Sequence, residues 1–103
     1  MPKLAPTTSE KPKRSTSFEP EVARAIGTVI RRVREEREYS QDGFALQAGV
    51  DRSYYGKLER GERQPTVGLL LRVARALGVT GAELLAQAES LMAERPTRRR
   101  ARS

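Results

Sequence analysis

A chain of 103 residues with no cysteine and no histidine has room for one small domain. It excludes disulfide staples and thiolate metal sites, and it lacks the commonest metal ligand and general base. The formal charge of +7 lies at the ends: Lys3, Lys11, Lys13 and Arg14 against Glu10 give residues 1–17 a charge of +3, and Arg95, Arg98, Arg99, Arg100 and Arg102 against Glu94 give residues 94–103 a charge of +4.

The centre therefore sums to zero, and any polyanion-binding surface on the folded part is a local patch, not a global field. No apolar run approaches the roughly 18 residues of a membrane span, and the N-terminus lacks the apolar centre of a signal peptide. These features predict a cytoplasmic protein with no membrane partner.

Residues 1–17 mix Pro2, Pro6 and Pro12 with Ser, Thr and Lys, too little apolar surface to offset the entropy of ordering. They read as a disordered basic arm that either aids solubility or adds phosphate contacts. A first helix is expected over residues 18 to 38, opened by Pro20 with Glu19 and Glu21 near the positive end of its dipole. Val22, Ile26, Val29, Ile30 and Val33 form its buried face; Arg24, Arg31, Arg32, Glu35 and Glu36 form a solvated one.

From residue 40 to 61, SQDGFALQAGVDRSYYGKLERG reads as two short helices, 41–48 and 52–60. Ser40 and Asp51 are side-chain acceptors placed where each must start, and Gly49 supplies the left-handed bend between them. Phe44, Ala45, Ala48, Val50, Tyr55 and Leu58 can close on the first helix. Thr66 then caps a fourth helix over residues 67–77, with Val67, Leu70, Leu71, Ala74 and Leu77 as its apolar stripe and Gly78 as its stop. Thr80 caps a fifth, striped by Leu84, Leu85, Ala88, Leu91 and Met92. Pro96 is expected to end ordered structure, leaving an Arg-rich, disordered 94–103 tail. The fold class is all-α, five helices, with the ordered domain over residues 18–93.

A helix-turn-helix lays its second helix in the DNA major groove with that helix's N-terminal residues against base edges. The exposed face of the helix 52–60 is expected to present Arg52, Ser53, Gly56 and Lys57. Arg52 can donate two hydrogen bonds to guanine O6 and N7, Ser53 can pair with several bases, and Lys57 can meet a base or a phosphate. The same residues also suit an ordinary polar surface.

Residues 26–85 resemble the Cro/C1-type helix-turn-helix family, which includes phage repressors and restriction–modification controller proteins. The likeness is carried by SQ at the start of the second helix, AGV at the turn, then DRSY, KLERGERQPT and ARALGV in family order. It implies a five-helix domain (lambda repressor-like) that binds operator DNA, commonly as a symmetric dimer. By the same resemblance Arg52 and Ser53 occupy base-reading positions, and Gln41, Tyr54, Arg60 and Arg63 phosphate-binding ones. Arg34 and Glu59 match a pair that bridges helix one and helix three. Three residues depart from the pattern. Glu38 stands where a glycine usually ends helix one, so that helix is expected to run further or end differently. Gly43 replaces the capping-box glutamate, and Gly56 lies on the recognition helix, each costing about 1 kcal/mol of helix propensity.

The leading expectation is a sequence-specific transcriptional regulator that binds double-stranded DNA as a homodimer, with Leu84, Leu85, Leu91 and Met92 as the dimer surface. The alternative is a protein-interaction module, an antitoxin or anti-activator acting through a protein partner. No cofactor, metal or small-molecule ligand is expected. An enzyme is not, because no histidine, cysteine, phosphate loop or carboxylate cluster suggests a catalytic centre.

Overall fold

A computed structural model describes the backbone of residues 17–101 and the side chains of residues 17–94. The basic arm, apart from Ser17, and the side chains of the Arg-rich tail from Arg95 onward lie outside the described residues. The chain forms α1 (Pro20–Glu36), α2 (Gln41–Ala48), α3 (Arg52–Glu59), α4 (Val67–Leu77) and α5 (Gly81–Ala101), with no strand among the described residues.

α1 opens on Pro20 with no side-chain cap, and the starts of the other four helices are each set by a local acceptor. Ser40 Oγ accepts from the Gly43 N–H at 3.0 Å, Asp51 Oδ2 from Tyr54 at 2.9 Å and Thr66 Oγ1 from Leu69 at 3.1 Å. α5 opens on a reciprocal capping box: the Glu83 N–H donates to Thr80 Oγ1 at 3.0 Å while the Thr80 N–H donates to Glu83 Oε1 at 2.8 Å.

α1 ends at Glu36, short of the expected 38, and Glu38 takes a left-handed φ of 61°. The Glu38 N–H donates to the Glu35 carbonyl at 3.0 Å and the Tyr39 N–H to the Arg34 carbonyl at 3.3 Å, the two bonds of a Schellman motif. The bend that glycine usually makes is therefore made here by glutamate. At the other end of the chain, α5 continues through Pro96 to Ala101, so the proline does not stop the helix. Its fixed φ near −65° is itself helical, and what it removes is one interior hydrogen bond.

α1 is the central element, packed most extensively on α5 and next on α3. Ile26, Val29, Ile30 and Val33 meet Phe44, Tyr55, Leu58, Leu70, Val73, Leu77, Leu84 and Ala88 in one core. The approach of α1 to α3 is close enough to require Gly27: a methyl group there would press on the backbone carbonyls of Leu58 and Glu59, 2.7 Å from the Glu59 oxygen.

Two expectations about apolar residues change. Val67 and Leu71 on α4 are exposed, and Val73 fills the core in their place; the buried arc of α4 is centred on Leu70, Val73, Ala74 and Leu77. Leu84 is 2% exposed and belongs to the core, whereas Leu85 faces outward. Leu91 and Met92 are partly buried against the same core. Leu84 therefore cannot offer its side chain to a second molecule.

Candidate nucleic-acid interface

The two helices of the helix-turn-helix, α2 and α3, are joined by a turn in which Gly49 has φ 75°. The Val50 N–H donates back to the Ala45 carbonyl at 2.9 Å, and Arg72 on α4 donates from Nη1 to the Gly49 carbonyl at 3.1 Å. Phe44 is fully buried between Tyr39 and Tyr55, with ring centroids 5.4 Å apart in both pairs. Its burial contributes about 2–3 kcal/mol and locks α2 against α3.

Beneath α3 lies a closed polar network. Arg34 donates from Nε to Glu59 Oε2 at 2.7 Å, from Nη2 to Glu59 Oε1 at 3.0 Å and from Nη1 to the Tyr39 carbonyl at 2.8 Å. Gln41 Nε2 donates to Glu59 Oε1 at 2.9 Å, and the Tyr55 hydroxyl donates to Glu59 Oε2. Burial by itself would raise the Glu59 carboxyl, but hydrogen bonds from Arg34, Tyr55 and Gln41 outweigh it and hold the group below the usual carboxylate range. Burial and the bond to Glu59 push the Tyr55 hydroxyl well above its ordinary value, and the Glu59 hydrogen bond raises Arg34. Among the described residues no buried side-chain polar atom lacks a partner. Such a pair fixes the angle between helices more than it adds net stability, because desolvation offsets the attraction.

On the outer side of α3, Arg52 and Ser53 are exposed at the helix N-terminus, and Tyr54 and Lys57 are half-buried. Arg52 leans on Asp42 of α2, Nη1 to Oδ2 at 3.4 Å. Arg60 is held by Glu62, Nε to Oε2 at 2.9 Å, and this bond raises Arg60 and lowers Glu62. Gln41, Arg60 and Arg34 line one concavity together with Arg31 and Glu59, of about 400 Å³. Arg63 does not join it. It lines a separate depression with Ser17, Phe18, Glu62 and Gln64.

Gly56 is buried, not on the exposed face. The Gln41 amide folds across α3 to reach Glu59, and a methyl group at position 56 would lie 3.3 Å from Arg60 Nη1 and 3.7 Å from Gln41 Oε1. The glycine leaves room for two side chains of the surface it lies under.

Three residues of this region escape a reading of the sequence. Arg31 reads as part of a solvated face, yet it lines the concavity with Gln41 and Arg60. Asp42, which has no role assigned from the sequence, stands in the first turn of α2 and meets Arg52. Gln64 accepts from the Glu19 N–H at 2.7 Å and donates to the Ser17 carbonyl at 3.1 Å, pinning the segment before α1 to the loop after α3. Only contacts between distant parts of the chain reveal these roles, apart from Arg31, whose place one helical turn before Arg34 and Glu35 was a usable signal.

A helix-turn-helix family model matches residues 30–84. Among known proteins, the uncharacterized HTH-type transcriptional regulator y4dJ of Sinorhizobium fredii is 35% identical over 65 residues, which cover 63% of this chain and 84% of that protein. The control protein C.MunI of a Mycoplasma species is 34% identical over 65 residues, covering 62% of this chain and 88% of its own length. The crystal structure of the clp gene regulator ClgR from Corynebacterium glutamicum is similar with a TM-score of 0.72 at 28% identity, over 78% of this chain and 85% of that one.

Proposed function

The chain belongs to the Cro/C1-type helix-turn-helix family of transcriptional regulators, and we propose that it binds a two-fold symmetric DNA operator as a homodimer, with α3 in the major groove. The observation that carries the reading is the exposure of Arg52 and Ser53 at the start of a helix whose other face is fixed by Arg34 and Glu59. In this reading Arg52 donates to guanine O6 and N7, while Ser53 and Lys57 meet neighbouring bases. Gln41, Tyr54, Arg60 and Arg63 hold phosphates and supply the salt-dependent affinity. A cytoplasmic location follows from the DNA target.

The dimer surface of this proposal is a stripe on α4 and α5. Leu71 and Leu85 are 47% and 42% exposed, and Leu71 packs over Gly81, where a methyl group would meet its Cδ2. Gly81 and Leu85 are one turn apart on α5, and Val67 and Leu71 one turn apart on α4. In this proposal a second copy covers the exposed side chains of Val67, Leu71 and Leu85.

Selection of bound duplexes from a random pool tests the reading. The expected outcome is a two-fold consensus with half-sites roughly 34 Å apart, about one turn of DNA, and Arg52→Ala should lose the preference at one guanine in each half-site. Retention without sequence preference would overturn the base-reading assignment. No retention even at low salt would overturn DNA binding and turn attention to a protein partner.

A further inference from the structure

We infer that Asp42 is the positioning residue that aims Arg52 at its base. The inference rests on the reading of Arg52 as a base-contacting side chain. Asp42 stands in the first turn of α2 and Arg52 opens α3, so the two are ten residues apart and meet only because the turn at Gly49 folds one helix back on the other. Asp42 is the one side-chain partner of Arg52 among the described residues, at 3.4 Å from Nη1.

A guanidinium carries five donors in a fixed fork. With Nη1 turned toward Asp42, the edge formed by Nε and Nη2 stays free, and that edge matches the paired acceptors O6 and N7 of guanine. Both side chains are largely exposed, 73% for Arg52 and 63% for Asp42, so in water the pair contributes little to stability. Against DNA, water is excluded and the same contact strengthens. An arginine already restrained also loses less rotamer freedom on binding. Gly43, Leu46 and Val50 join the pair in lining an open depression of about 480 Å³, which gives the absence of a side chain at position 43 a place in the same surface.

Asp42 has a plainer role as a first-turn acid, which favours the helix dipole and repels phosphate. Both of those effects act equally on every DNA sequence. A positioning role alters the preference at one base.

The experiment takes the full chain, Asp42→Ala, Asp42→Asn and Arg52→Ala through duplex selection, followed by titration of the selected site and of the same site with its guanine replaced. The parent should favour the guanine by about fivefold or more, and Arg52→Ala should abolish that ratio. Asp42→Ala should reduce it below about twofold while binding scrambled DNA more tightly, since a negative charge near phosphates is gone. Asp42→Asn loses the same charge but keeps an oxygen that accepts from Arg52, so it should bind scrambled DNA more tightly and retain most of the ratio. An unchanged ratio in Asp42→Ala overturns the inference, and so does an Asp42→Asn ratio that falls as far as that of Asp42→Ala. If the parent selects no guanine, or Arg52→Ala keeps the preference, the reading of Arg52 itself has failed.

Discussion

Arg34 on α1 and Glu59 at the end of α3 face each other through two hydrogen bonds of 2.7 and 3.0 Å, and neither side chain is more than 9% exposed. The pair lies directly behind the helix whose opposite side carries Arg52 and Ser53. Because Gln41 and Tyr55 donate to the same carboxylate, one buried group sets the relation of α1, α2 and α3 together.

Removing that carboxylate should be costly. Glu59→Gln leaves the Arg34 charge buried without its counter-ion and should destabilise the domain by about 3–5 kcal/mol at neutral pH, measured by urea unfolding. The Glu59 carboxyl is lowered in the folded state. Its stabilising contribution is therefore complete above the unfolded value near ~4.3 and is lost as pH falls through the lower folded value. The parent should weaken on that acid limb, and Glu59→Gln should show a flatter one.

Glu38 is the clearest case of a residue in a conformation that costs it energy. With φ at 61° it adopts a backbone that glycine takes freely and other residues take at about 1–2 kcal/mol. Glu38→Gly should raise the stability by about 1 kcal/mol, seen as a rise of roughly 4–8 °C in the thermal midpoint. An unchanged or lower midpoint would show that the Schellman turn is unstrained.

Leu84 and Leu85 are neighbours with opposite fates, which makes them a paired test. Leu85→Asp should shift sedimentation toward monomer and weaken binding to a two-fold site while leaving the fold intact, because Leu85 is exposed. Leu84→Ala should instead cost about 2–5 kcal/mol of folding stability. If Leu85→Asp leaves the oligomer unchanged, the dimer surface lies elsewhere.

Glu62 holds Arg60 in the free protein and competes with any phosphate for it. Glu62→Gln should tighten binding to all DNA sequences alike and steepen the dependence on salt, by about one unit of slope if one more phosphate is neutralised. Anisotropy titrations across salt concentrations read both quantities. A change confined to one sequence would instead place Arg60 against a base.

Much of the fold was legible because its signals are local. Ser40, Asp51, Thr66 and Thr80 bond to N–H groups three residues on, and Gly49 and Gly78 supply their own left-handed turns. The α1 stripe repeats at the helical period, so its buried face could be read from spacing alone. Spacing did not separate Leu70 from Leu71 or Leu84 from Leu85, since adjacent leucines both fit a wide apolar arc and only the packing partner chooses between them. Gly56 looked exposed for a related reason: its cover comes from the side chains of Arg60, at the end of its own helix, and Gln41, on another.

The sequence by itself determined five helices, the starts of the last four (the first begins at Pro20, two residues after the expected 18), the helix-turn-helix between Ser40 and Gly61 and the family, because caps, turns and periodicity act over a few residues of chain. Only the tertiary structure decided that Glu59 accepts four hydrogen bonds from three partners at once, that Arg52 meets Asp42, and which leucines remain outside. Those outcomes depend on side chains far apart in sequence meeting after the helices pack, and no short-range rule fixes the angle at which they do so.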